Sequence, residues 1–169
     1  MIRLVILWGL LLFVILPLEA GAQAVQDEIN RDVWYPFMKS YEKLDAAHFM
    51  SLHSRDLMRV ELDENNARNY DEYALFYRNF FGRFRKSGEA IRIRFAFTHR
   101  IVEGNQALEK GFYEFTLKSD KADLKTYGAF TVILRKEQGQ WKILVDSDTN
   151  KEMSEALFLT GKLLPEPAR

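Results

Sequence analysis

The sequence contains no cysteine, only four prolines and nine glycines in 169 residues, and no surplus of either charge. The missing cysteine removes disulfides, thiolate nucleophiles, iron–sulfur ligation and lipid attachment through an N-terminal cysteine. Few prolines and glycines, with no low-complexity tract and no internal repeat, argue against a disordered chain. The 24 basic residues face 24 acidic ones, so there is no electrostatic reason to expect nucleic acid or anionic lipid as a partner. Histidine is scarce as well. His48 and His53 are out of step with the i, i+4 spacing of helical zinc ligands. Asp146-x-Asp148-x-Asn150 opens like a calcium loop, but Lys151 and Leu157 stand where that loop needs Gly and Glu. No metal and no cofactor is expected.

One long apolar run is present, and it lies at the beginning. Arg3 supplies a positive start, Leu4 to Leu18 an apolar stretch broken by Gly9 and Pro17, and Ala22-Gln23-Ala24 a small-residue cleavage site. The run is shorter than the roughly 20 residues a membrane span needs. It reads as a signal peptide over 1–24, cleaved to leave no stable membrane anchor, with the mature chain exported to the periplasm or secreted. The remaining 145 residues suit one domain, expected over 25–149, with a C-terminal helix and tail over 150–169.

The organising stretch runs from Ile91 to Asp148. Ile91, Ile93, Phe95, Phe97, His99 and Ile101 alternate with Arg92, Arg94, Ala96, Thr98 and Arg100, which gives a strand one apolar and one polar face. Gly111 to Lys118, Leu124 to Lys136 and Gln140 to Asp146 continue the pattern. Short connections at Glu103-Gly104-Asn105, Ser119 to Asp123 and Glu137-Gln138-Gly139 predict hairpins and an antiparallel sheet. The fold class is α+β, because helices precede these strands.

The first helix is expected over Asp27 to Leu44, kinked or begun near Pro36, and Asp45 caps a short second one from Ala46 to His53. Leu57 to Leu62 reads as a short strand and Asp63 to Asn66 as loop. Asn69 and Glu72 have capping-box spacing ahead of Tyr73, Phe76, Tyr77, Phe80, Phe81 and Phe84, and Gly88 ends that helix. Thr149 and Glu152 repeat the capping spacing before a weak helix closed by Gly161.

This order of elements resembles the nuclear transport factor 2-like superfamily, which includes SnoaL-like cyclases and ketosteroid isomerase. Tyr41-Glu42-Lys43-Leu44-Asp45 is similar to the end of that family's first helix. Phe130-Thr131-Val132-Ile133-Leu134-Arg135-Lys136, followed by Gly139-Gln140-Trp141-Lys142-Ile143, is similar to its last two strands and their turn. The resemblance implies a conical fold, a curved antiparallel sheet wrapped over N-terminal helices around a deep pocket, and nothing specific about activity. Phe37 falls where ketosteroid isomerase keeps an oxyanion-hole tyrosine, and Thr131 and Val132 near its acidic donor, so that chemistry is not expected.

What the resemblance implies for a site is a set of aromatic pocket residues, Phe37, Phe76, Phe80, Phe95, Phe97, Tyr113 and Trp141, able to hold a small apolar or amphipathic molecule or a partner protein. Each ring alone reads as well as core. The alternative is a small hydrolase, isomerase or cyclase using His99, on the inward parity of its strand, with a carboxylate such as Asp146, and with Tyr41 or Asp45 to orient it. His99 also reads as a satisfied core histidine. Arg59 could meet an anionic ligand or simply lie exposed on its strand. Related domains commonly pair through the outside of the sheet, which implies a homodimer across the face bearing Arg92, Arg94, Arg100, Glu114, Thr116 and Lys118. That face reads equally as a solvated exterior.

Overall fold

The computed structural model describes residues 18–120 and 122–165, so most of the expected export segment, Met1 to Pro17, lies outside the described residues. The chain enters through α1 (Leu18–Ile29), a π-helical turn (Asn30–Trp34) and α2 (Tyr35–Lys43). Pro36 explains the break: it sits in the first turn of α2, where its missing N–H costs least, and Tyr35 donates back to Asn30 across the wide turn. Leu44, in the left-handed conformation at φ 54°, ends α2. Asp45 then accepts from the His48 amide at 2.9 Å and caps α3 (Ala46–Ser51).

Strand β1 (His53–Glu61) follows, longer than its apolar pattern suggested. It turns back into β2 (Asn66–Arg68), where only loop was expected. The capping box of α4 (Tyr70–Ser87) forms as its spacing predicts. The Asn69 side chain accepts from the Asp71 and Glu72 amides at 3.0 Å, and Glu72 accepts from the Asn69 amide at 2.9 Å. Gly88, at φ 74°, closes it. Then come the hairpin strands β3 (Ile91–Glu103), β4 (Gln106–Leu117), β5 (Leu124–Glu137) and β6 (Gln140–Thr149). The sheet is ordered β2-β1-β6-β5-β4-β3-β7, the last being Lys162–Leu163, and is antiparallel except where β1 joins β6 in parallel.

The expected helix capped by Thr149 does not form. Thr149 is still paired with Ala129 in the sheet, and its hydroxyl donates to Asp63. Ser154 caps a single turn, α5 (Glu155–Phe158), and β7 (Lys162–Leu163) then pairs with Ala96 and Phe97 on β3. This C-terminal segment covers part of the outer face. Phe158 is buried there against Tyr127 and beneath Arg94, whose guanidinium grips Glu114 with two 3.0 Å hydrogen bonds.

Helices α2, α3 and α4 fill the concave side. Trp34 packs against Phe95, Phe97 and Phe130 with ring centroids 4.7–5.2 Å apart, and Phe49 stacks on Tyr77 at 3.8 Å. Ile91, Ile93, Phe95 and Phe97 are buried on the inward side, as the alternation predicts. Beyond Phe97 the alternation fails. Phe97 pairs with Gly111 and His99 with Lys110, so Thr98 is an extra residue, a β-bulge that flips every later side chain. Arg100 therefore turns inward, while His99 and Ile101 turn out, Ile101 to 58% exposure. Gly111 makes the bulge possible, since a Cβ there would lie 2.1 Å from the Ala96 carbonyl oxygen.

Candidate functional site

A cavity of about 290 Å³ opens between α4 and the concave face of the sheet. One side is ringed by α2 and α4, which contribute Phe37, Tyr41, Tyr73, Phe76, Tyr77 and Phe80. These residues recur at helical spacing, so one stripe of each helix faces the cone. Phe95 of β3, Tyr113 and Phe115 of β4, and Phe130 and Val132 of β5 form the floor. The third wall is polar and comes from two strands in parallel register, Arg59 opposite Asp146 and Glu61 opposite Asp148. Residues two apart on a strand share a face, so this pairing aims all four side chains into the cone.

Arg59 is the hub of that wall. Its guanidinium reaches Asp146 at 3.0 Å and Asp148 more closely, and lies over the Tyr73 ring at 5.5 Å. Tyr73 donates to the other Asp146 oxygen at 3.0 Å. The Tyr113 hydroxyl lies 2.9 Å from Asp148 and beside Asn150, one proton serving one acceptor at a time. Burial works against the charge of Arg59, but Asp146 and Asp148 more than offset it, so the guanidinium stays protonated. Burial pushes the Asp148 carboxyl above the usual carboxylate range, with Arg59 pulling the other way. Burial likewise raises Tyr41, Tyr73, Tyr77 and Tyr113, so all four phenols remain neutral donors at physiological pH. Tyr41 and Tyr77 share a 2.5 Å hydrogen bond.

The structure gathers Tyr41, Asp146, Phe37, Phe76, Phe80, Phe95 and Tyr113 around one cavity. Phe76 stands at the mouth, 38% exposed. Phe97 and Trp141 do not line it. Phe97 packs behind Trp34 and Phe130, and Trp141 sits against α1, its Nε1–H 3.4 Å from Glu28. The pairing of His99 with Asp146 is corrected outright. The bulge puts His99 on the outer face, exposed and bonded to its neighbour Thr98, across the sheet from Asp146. The histidine near the polar wall is His53, buried between Phe49 and Tyr73. Its Nδ1 lies 3.0 Å from the Phe49 carbonyl oxygen, its Nε2 has no partner, and burial lowers its pKa to about 4.

Arg59, Glu61 and Asp148 were the residues hardest to place from sequence. The available signal was the pair of i, i+2 charged motifs, Arg59-x-Glu61 and Asp146-x-Asp148, each putting two charges on one strand face. Behind Trp34 lies a second buried cluster. Glu109, 0% exposed, accepts from Arg100 at 2.7 Å and from the Trp34 indole, and Arg100 also donates to Asn30 at 2.8 Å. Among the described residues no group of three or more histidine, aspartate or glutamate side chains is placed to hold a metal ion, and no helix is long and apolar enough to cross a membrane.

Among solved structures, an NTF-2 like protein of unknown function from Shewanella oneidensis shares 20% identity over 73% of this chain and 98% of its own, with a TM-score of 0.59. A function-unknown protein from Mycobacterium tuberculosis shares 15% over 82% and 79%, with a TM-score of 0.63. A ketosteroid isomerase-like protein from Erwinia carotovora atroseptica shares 13% over 75% and 96%, with a TM-score of 0.58. At such identities the likeness is one of fold. No curated protein matches the chain. Residues 31–146 match the SnoaL-like domain, and the helices, the bent sheet and the cone they enclose are those of the nuclear transport factor 2-like superfamily, so the chain belongs to the SnoaL-like family within it.

Proposed function

We propose that the cone is a binding site for a small, ring-bearing amphipathic molecule. The observation that carries this is a cavity of about 290 Å³ lined by aromatic rings on most sides and by a single charged wall. Its volume is at the small end of the range for ligand pockets, and its mostly apolar lining with a few convergent polar groups is their usual chemistry. The test is fluorescence titration of the full chain with N-phenyl-1-naphthylamine, a neutral probe that brightens in apolar surroundings. Thr126, at the cavity edge, provides a plug, since Thr126→Trp fills the opening without touching the buried core. Saturable binding that the plug abolishes is the expected result. No saturable binding, or binding indifferent to the plug, overturns the reading.

Acid–base turnover at the same wall is favoured by one observation, the raised carboxyl of Asp148 beside the Tyr113 hydroxyl. It is separated from simple binding by recovering bound ligand and asking by mass spectrometry whether it has changed. Export accompanies the proposal. Cleavage after Ala24 would keep Val25 and Ile29, with which the core begins, and N-terminal sequencing of the protein from the periplasm or medium would read it. The proposed homodimer would use the outer face. Because α5 covers the Arg94–Glu114 end, the surface left for a second copy is the apolar half around Met58, Ile101 and Val145. Ile101→Lys should then convert a dimer to a monomer in light scattering, and a wild-type monomer would sink that assignment.

A further inference from the structure

The lining of the cone is not electrically balanced. Among its described residues Arg59 carries positive charge, against Glu61, Asp146 and Asp148. Arg68 outside the cavity pairs with Glu61 and neutralises it. Arg59 is shared between Asp146 and Asp148, and the tyrosines that bond those carboxylates are neutral donors. One negative charge is left on the wall. It is most accessible at Asp148, whose side chain is 23% exposed while that of Asp146 is 10% exposed.

Two other features bear on what would balance it. The rest of the lining is aromatic: Arg68 and Arg83 already lie over Phe76 and Phe80, and Phe95 and Phe115 add rings whose faces carry partial negative charge that attracts cations. On the charged wall itself the side chain of Arg59 is nine-tenths buried, yet its Nε–H has no acceptor. A buried donor without a partner is rare enough to ask for one. An anionic occupant would meet two carboxylates and an arginine already engaged by both. A purely apolar occupant would strip water from Asp148 and return nothing.

Resting on the reading of the cone as a ligand site, we propose that its occupant is a small organic monocation, an ammonium group on an aromatic or alicyclic body with a neighbouring oxygen acceptor. The ammonium meets Asp148, the ring stacks among the phenylalanines, and the oxygen accepts from Nε of Arg59 once that side chain shifts to expose it.

Calorimetric titration of the full chain with four compounds of one size tests this: 2-amino-1-phenylethanol, 2-phenylethylamine, 2-phenylethanol and phenylacetate. The two amines should bind about tenfold or more tighter than the neutral alcohol, the hydroxylated amine best and phenylacetate weakest. Asp148→Asn, which keeps an oxygen for the Tyr113 hydroxyl, should bring amine and alcohol to within about threefold of each other. The wild-type ranking stands without the variant, and a melting curve confirms that the variant folds. The proposal is overturned if the alcohol or phenylacetate matches the amines, or if Asp148→Asn leaves the ranking unchanged. When N-phenyl-1-naphthylamine still binds and the four compounds show no such order, this inference alone is lost. When neither the naphthylamine nor any of the four binds, the ligand-site reading falls with it.

Discussion

Arg59 and Arg100 both reach the concave side of one sheet, and carboxylates hold both, yet they end in different surroundings. Arg100 meets one carboxylate, Glu109; Asn30 accepts from the arginine, the Trp34 indole donates to the glutamate, and no buried side-chain atom of the pair lacks a partner. Neither Glu109 nor Arg100 lines the cavity, and the charges of that pair cancel. Arg59 meets two carboxylates beside open space, and one of its own N–H groups has no acceptor. A buried ion pair that is balanced and fully hydrogen-bonded specifies packing, and removing one member leaves the other desolvated. An unbalanced one at a cavity wall leaves interactions for a guest to complete. The comparison teaches that charge count and hydrogen-bond closure, rather than burial, separate framework from site.

The sharpest break of this comparison is Glu109→Ala. It strands Arg100 in the core and should lower unfolding free energy by about 3–5 kcal/mol in urea titrations, with Glu109→Gln recovering part of it. Asp148→Asn, at the cavity, should cost less than about 1 kcal/mol in the same measurement while changing ligand choice. Equal losses for the two would erase the distinction.

His53 supplies the next largest effect, through pH. Its folded pKa of about 4 lies below the ordinary 6.5, so between those values the unfolded chain binds a proton that the native chain refuses. Stability from this group is complete above pH 6.5 and drains away as pH falls toward 4, by about 3 kcal/mol in all. His53→Gln should flatten that part of the stability–pH curve. A curve unchanged by the substitution would show that His53 does not drive it.

A smaller effect is expected at Gly128. A Cβ there would lie 2.2 Å from the Tyr113 ring, because the ring crosses β5 over this glycine to reach Asp148 and Asn150. Gly128→Ala should cost about 1–3 kcal/mol and dislodge the phenol. With Tyr113→Ala in the same chain, the second substitution should relieve most of the first, a non-additivity that a double-mutant cycle reads directly.

Most of the architecture was legible because it is written locally. Asn69 and Glu72 announced α4, Asp45 announced α3, and the alternation from Ile91 to Phe97 gave the inward face correctly. The reading failed one residue later, at Thr98, since a period-two pattern carries no mark of an inserted residue. The mark was on the neighbouring strand. Gly111, a glycine inside a run of strand formers, is where the bulged backbone comes closest. Arg59 was illegible for a different reason. Between Met58 and Val60 it looks like any strand arginine, and its burial depends on a parallel register with β6 that no local pattern encodes. Phe97 and Trp141 were grouped with the cavity rings because composition cannot tell a lining ring from one packed a layer deeper.

The two ends of the sheet carry a consequence for how this protein can meet others. At one margin stands a three-residue strand, β2. At the other, the long rim of β3 is interrupted midway, where Leu163 and Lys162 occupy Ala96 and Phe97 and the insertion at Thr98 bends the backbone directly afterwards. At both margins a short strand covers part of the rim, which limits the row of amides and carbonyls on which a foreign strand could align. Fibre-like growth by lateral addition is thereby discouraged, and recognition is left to the broad surfaces and to the mouth of the cone.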